Sequence, residues 1–215
     1  MSRPQPPRLQ LAVDVLDIDA AVDVVERVRP HFDIVEIGTP LIIEAGLAAA
    51  DQIKPLCQDK QCLADLKIMD AGYMEASSGF RRGADIVTVL GVADDATIRQ
   101  AVKAAQEHGG ELMADLINVA DPARRAAELV DLGVAILCVH TAYDVAETGA
   151  NPLATLQAIR PAVTCQVAIA GGLGLDDVGP AIECGADIVV VGGGILNQPD
   201  PRAAAAAIMT RLQEE

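Results

Sequence analysis

Eight apolar runs of strand length recur along the chain at steps of about 20 to 30 residues, and a helix-like amphipathic stretch follows each one. They are Leu9 to Val13, Phe32 to Ile37, Gln61 to Leu66, Asp85 to Leu90, Glu111 to Ile117, Val134 to Val139, Cys165 to Ala170 and Asp187 to Val191. Between them lie Ala-rich segments such as Ala20 to Arg29, Leu41 to Ile53 and Ala203 to Leu212, whose period is that of a surface helix. An internal repeat supports the count. Gly83-Ala84-Asp85-Ile86-Val87 returns as Gly185-Ala186-Asp187-Ile188-Val189, and Leu132-Gly133-Val134 takes the same place before another run. In each case glycine ends a helix and the chain turns directly into a strand.

A repeated βα unit with right-handed crossovers builds either an open doubly wound sheet or a closed barrel. The units here are of near-equal length, with no long connection where a sheet would reverse, and the turn after the first run, Asp14-Val15-Leu16-Asp17, has no dinucleotide-binding glycines. The expected fold is therefore α/β, a (β/α)8 TIM barrel in one domain spanning residues 1–215, with residues 1–8 a flexible polar extension. Composition agrees: 51% of residues are hydrophobic, yet there are only two Phe, two Tyr and no Trp, so the core is packed from Ala, Val, Ile and Leu.

Charge narrows the function. Sixteen Lys and Arg against 31 Asp and Glu leave −15, which repels a phosphate backbone and argues against nucleic-acid binding. A phosphorylated metabolite remains compatible, because local backbone N–H groups and a metal ion override the mean field. The five cysteines, an odd number, read as reduced residues of a cytoplasmic protein, with Cys62, Cys138 and Cys165 inside apolar runs. No apolar window reaches membrane-spanning length and the start resembles no export signal, so neither a membrane nor secretion is expected.

In such a barrel the chemistry collects at the C-terminal ends of the strands. Asp14 closes the first run, Glu36 the second, Asp65 and Lys67 the third, Asp115 the fifth and His140 the sixth. Asp33, Asp85 and Asp187 open their runs at the opposite end, where a structural or solvated role is expected. A spacing of two in a strand puts Asp65 and Lys67 on one face, about 6 to 7 Å apart, and keeps both charged. Alone, that pair reads more often as a buried ion pair closing the barrel mouth than as catalytic. Asp70 likewise reads as a helix N-cap before Ala71, and a lone His140 as a satisfied core histidine. Together, four carboxylates, a lysine and a histidine closing strands are costly to bury without a ligand. Glu36 and Asp65 offer hard oxygen ligands that suit Mg²⁺, with Mn²⁺ an alternative, and His140 suits proton transfer. The last two runs end in Gly171-Gly172 and Gly192-Gly193-Gly194, where barrels bind phosphate on bare backbone N–H groups.

Val35-Glu36-Ile37-Gly38-Thr39-Pro40, Ala64-Asp65-Leu66-Lys67-Ile68-Met69-Asp70-Ala71-Gly72 and Thr88-Val89-Leu90-Gly91-Val92-Ala93-Asp94-Asp95 resemble the signature stretches of the 3-hexulose-6-phosphate synthases, within the orotidine-phosphate decarboxylase superfamily. The similarity runs from about Leu9 to Leu212. The related 3-keto-gulonate-6-phosphate decarboxylases carry His-Arg-Ser-Arg-Asp where this chain has His140-Thr141-Ala142-Tyr143-Asp144, an arginine at Gly193, and Glu at Asp115. The resemblance implies an aldehyde lyase acting on D-ribulose 5-phosphate and formaldehyde, with Mg²⁺ on Glu36 and Asp65, His140 as the C1 base, and Lys67 stabilising an enediolate. It also implies a homodimer in which Asp70 crosses into the partner's site. The alternatives are the decarboxylase and, in a different class, a non-catalytic phosphosugar-binding subunit, against which Lys67 and His140 both argue.

Overall fold

Val- and Ile-rich runs form eight parallel strands in the computed structural model, which describes residues 6–146 and 152–214. They are β1 (Arg8–Val13), β2 (Ile34–Ile37), β3 (Gln61–Ile68), β4 (Ile86–Leu90), β5 (Glu111–Asp115), β6 (Ile136–His140), β7 (Gln166–Ala170) and β8 (Ile188–Val191). Each pairs with the next in sequence, and β8 pairs back to β1, closing the barrel as expected. Side chains alternate across each strand. Ile34, Leu63, Ile86, Met113, Ile136 and Ile188 belong to the packed interior, while Val35, Ile37, Val87 and Val89 join the larger core between strands and helices.

The glycine repeat is a helix stop. After the helices Gly72–Arg81, Pro122–Asp131 and Val178–Glu183, the glycines Gly83, Gly133 and Gly185 take φ of 88°, 96° and 98°. Each N–H returns to the carbonyl three residues back, at Phe80, Val130 and Ile182, and the following N–H reaches five back, to Gly79, Leu129 and Ala181. This is the Schellman closure, which needs a left-handed residue at that point. By contrast Leu41 to Ile53, expected as one helical stretch, is two helices, Thr39–Ala45 and Ala49–Ile53, interrupted at Gly46 with φ 69°.

The aspartates that open strands are structural, as expected. Asp33, Asp85 and Asp187 each exchange two bonds with one residue of a neighbouring strand: the backbone N–H donates to the carbonyl of Leu9, Cys62 or Val167, and the carboxylate accepts that residue's N–H at 2.9, 2.7 and 2.9 Å. Asp85 is further paired with Lys54, and Asp187 with Arg160. The floor of the barrel is a polar layer. Arg8 donates to the Oε1 atoms of Gln61 and Gln166, and Gln61 Nε2 donates to Glu111 Oε2 at 3.3 Å.

Arg8 thus belongs to β1, which corrects the polar extension expected through residue 8; residues 1–5 lie outside the described residues. All five cysteines are free, and Cys165 lies one residue before β7, only partly buried. Among the described residues no helix is long and apolar enough to cross a membrane.

Candidate active site

The C-terminal mouth is built around an irregularity in β3. Leu63 and Ala64 pair with Ile86 and Val87, but the next partner of β4, Val89, faces Ile68, so Asp65, Leu66 and Lys67 bulge out of the ladder. Lys67 there takes φ 45°. Asp65 and Lys67 do share a face, but by this distorted backbone rather than by a regular strand: Lys67 Nζ donates to Asp65 Oδ2 at 2.7 Å. Asp65 is buried, and Thr39 Oγ1 (2.7 Å) and Thr88 Oγ1 (2.7 Å) also donate to its carboxylate.

Lys67 Nζ reaches Asp115 Oδ2 as well, at 3.3 Å, and the same oxygen lies 2.8 Å from His140 Nδ1. The second Asp115 oxygen accepts the Ile117 N–H at 2.8 Å. Burial alone would raise the Asp115 carboxyl, but the His140 hydrogen bond and the charges of His140 and Lys67 hold it below the usual range. As a carboxylate it only accepts, so Nδ1 presents an N–H to it, and Nε2 is the ring nitrogen turned away from Asp115. For Lys67, burial pulls the ammonium down, but Asp65 and Asp115 outweigh it and keep the side chain charged. Cys138 faces Asp115 across the ladder, and burial pushes its thiol far up, which makes it packing rather than a nucleophile.

Glu36 is buried, with Gln10 Nε2 donating to its Oε2 at 2.6 Å. Burial first, then the negative charges of Asp65 and Asp14, drive its carboxyl well above the ordinary range. Asp14, exposed at the rim, is raised by partial desolvation among its neighbours and then by Asp65. Its carboxylate fills space left by two glycines: a Cβ at Gly38 would lie 2.1 Å from Asp14 Oδ1, and one at Gly192 3.3 Å from Oδ2. The phosphate-candidate loops meet here too. Gly171 lies against Thr141, where a Cβ would come within 2.3 Å of the carbonyl, and Gly194 lies against Leu173 O in the same way. Gly172 follows Gly171, and Gly192 caps the one-turn helix Gly193–Leu196: the Ile195 and Leu196 N–H groups donate to Gly192 O at 2.9 Å, so the helix itself provides no acceptor for the N–H groups of Gly193 and Gly194.

Asp70 stands apart. It is exposed, its Oδ1 accepts the Ala71 N–H at 2.7 Å, and no contact ties it to the cluster within one chain. Nor is it the N-cap of the following helix; Ala71 is, without a side-chain cap. Three site residues escaped a reading based on which residue closes each run. Thr88 and Gln10 sit inside their strands, on the inward parity shared with Ile86 and Ala12, and Thr39 opens the helix after Gly38. Alternation alone would have turned Thr88 and Gln10 toward the barrel axis.

The donor set fits a hard divalent cation. Asp65 and Asp14 raise the Glu36 carboxyl and Asp65 raises that of Asp14, with a single lysine beside them, a surplus of negative charge that a dication would relieve. Among the described residues no group of three or more Asp, Glu, His or Cys is placed to hold a metal ion by itself.

The orotidine 5'-phosphate decarboxylase / HUMPS family matches residues 7–208. The chain belongs to this family. It is 44% identical over 198 residues, 92% of this chain and 93% of its relative, to 3-hexulose-6-phosphate synthase 2 of Staphylococcus saprophyticus. The crystal structure of 3-hexulose-6-phosphate synthase from Salmonella typhimurium superposes with a TM-score of 0.94 at 37% identity, covering 96% of this chain and 99% of that one. KGPDC from Streptococcus mutans superposes as well, at 0.91, but at 25% identity, with 98% and 99% covered. The chain is an enzyme of the same class as these synthases, and the family read from the stretches around Glu36 and Asp65 is the one that the whole chain matches.

Proposed function

We propose that the chain joins formaldehyde to D-ribulose 5-phosphate, giving D-arabino-3-hexulose 6-phosphate, or runs the reverse cleavage. The single observation that carries this is the shared Asp115 oxygen, which holds a basic imidazole and a charged ammonium side by side at the mouth. His140 Nε2 takes a C1 proton, and Asp115, accepting from Nδ1–H, stabilises the imidazolium that results. The Lys67 ammonium stands where negative charge develops on the enediolate. Carbon C1 then bonds to the formaldehyde carbon, and the imidazolium returns its proton to the former aldehyde oxygen. The old C2 carbonyl becomes the C3 ketone. Glu36 and Asp65 would hold Mg²⁺ or Mn²⁺, which when bound supplies Lewis-acid polarisation of the sugar's carbonyl and hydroxyl oxygens. Backbone N–H groups of Gly171, Gly172, Gly192 and Gly193 take the phosphate, and Asp14 lies beside them at the rim.

The greater identity to the synthases, and Thr141 and Tyr143 where the resemblance puts decarboxylase arginines, favour aldol chemistry over decarboxylation. A homodimer in the cytoplasm completes the reading, with Asp70 reaching the partner's site. Met69, Tyr73 and Met74, within four residues of it in the chain, are exposed and would supply apolar area for the contact. The test is direct. Purified protein given D-ribulose 5-phosphate, formaldehyde and Mg²⁺ should consume formaldehyde, and given 3-keto-L-gulonate 6-phosphate should release carbon dioxide far more slowly. The reverse ranking would make it the decarboxylase, and no turnover of either a binding subunit.

A further inference from the structure

We propose that Thr88 is a positioning residue for this reaction, whose hydroxyl holds the β3 bulge in the conformation that delivers Lys67 to the site; this rests on the function proposed above. In the bulge, β3 uses four steps, Ala64 to Ile68, where β4 uses two, Val87 to Val89. A backbone N–H lifted out of the ladder needs another acceptor, and Lys67 N–H finds the Thr88 side chain, donating to Oγ1 at 3.0 Å. The same hydroxyl passes its own proton to Asp65 Oδ1 at 2.7 Å. One buried side chain, 4% exposed, therefore spans both ends of the Asp65-Leu66-Lys67 segment. It accepts from the backbone of one proposed reacting residue and donates to the carboxylate of the other.

The arrangement is held rather than relaxed. Lys67 sits at φ 45°, a conformation that L side chains seldom adopt and that persists only where surrounding contacts over-determine it. Without the Thr88 acceptor, the Lys67 N–H is left unsatisfied in a buried mouth, and the cheapest relief is to let the backbone relax toward a regular strand. That turns Nζ away from Asp115 Oδ2, its longer contact at 3.3 Å. Threonine joins the two requirements of this position: a β-branched stem for the strand and a hydroxyl that donates and accepts at once.

The experiment compares Thr88→Val with Thr88→Ser. Valine keeps the shape and the strand preference and removes the hydroxyl; serine keeps the hydroxyl and gives up the branch. A packing role would spare valine and harm serine. The positioning role predicts the opposite, with kcat for Thr88→Val down about 10- to 100-fold at a KM for D-ribulose 5-phosphate within about threefold, and Thr88→Ser near wild type. Amide hydrogen exchange at Lys67, read by NMR without substrate, should show protection in wild type and Thr88→Ser and its loss in Thr88→Val. Unchanged kcat in Thr88→Val, or an equal fall in Thr88→Ser, overturns the inference. If the wild type turns over neither substrate, the proposed function fails, and retained Lys67 protection in Thr88→Val separately refutes the contact.

Discussion

His140 Nδ1 and Lys67 Nζ share one oxygen of Asp115, at 2.8 and 3.3 Å, so the proposed base and the proposed electrostatic group are fixed relative to each other by a single carboxylate. His140→Gln should therefore lose exchange of a substrate C1 hydrogen with deuterated solvent, a half-reaction that needs no formaldehyde. D-Ribulose 5-phosphate should still bind, because its phosphate is assigned to the glycine loops. Proton NMR of the sugar in D₂O reads the outcome, and exchange at the wild-type rate would move the base role to Lys67 or Asp115.

In the proposed reaction Lys67 acts on charge that appears only as the enediolate forms. Lys67→Ala should lower kcat by about 10²-fold or more while substrate affinity changes little, the signature of a lost transition-state contact. Steady-state kinetics decides it; a near-normal kcat would reduce the Asp65–Lys67 contact to a structural ion pair.

Chelation should abolish turnover, and Mg²⁺ or Mn²⁺ should restore it. Full activity in excess chelator would remove the metal from the reading. Glu36 gives a second, activity-free readout. Because its folded-state carboxyl is raised, its ionisation costs the folded protein more than the unfolded chain. That cost is absent below the ordinary carboxylate range, grows as pH climbs from there toward the raised value, and levels off above it. Glu36→Gln removes it, and Gln10 Nε2 can still donate to the new amide oxygen. The metal-free variant should thus melt about 2 °C or more higher than wild type at neutral pH, with little difference near pH 4. Thermal melts should also show that Mg²⁺ stabilises the wild type and not the variant.

At the opposite end of the barrel, stability and activity should separate. Asp187→Ala strips the acceptor from the buried Val167 N–H and unpairs Arg160, a loss of roughly 1–3 kcal/mol. Chemical denaturation should show that loss with kcat unchanged. A catalytic defect in the folded variant would contradict the assignment of these aspartates to architecture.

The barrel was readable from the sequence because its signals are local. Strand-length apolar runs, and glycines such as Gly83 and Gly185 that stop helices, act within a few residues of where they stand. The charged members of the site were readable for a related reason: Glu36, Asp115 and His140 lie at strand ends, where a buried charge has few structural uses. The neutral members were not. Thr88 and Gln10 look like ordinary strand residues until register turns them inward, and register depends on pairing between distant segments. The bulge at Lys67 was likewise hidden, since Asp-x-Lys reads the same in a regular strand as in a distorted one. Asp70 remains outside the cluster because nothing in a single chain draws it there.

The floor of Arg8, Gln61, Glu111 and Gln166, with the aliphatic layer of Ile34, Leu63, Ile86 and Ile188 above it, makes the barrel a cup and not a pipe. Whatever enters leaves by the same rim. For a reaction with one bulky anionic partner and one tiny neutral one, traffic through a single doorway sets an order: the sugar phosphate, once seated across the mouth, stands in the small molecule's path. In the proposed reaction formaldehyde would have to slip past its edge or already be inside, and the larger product would have to depart before the next cycle begins.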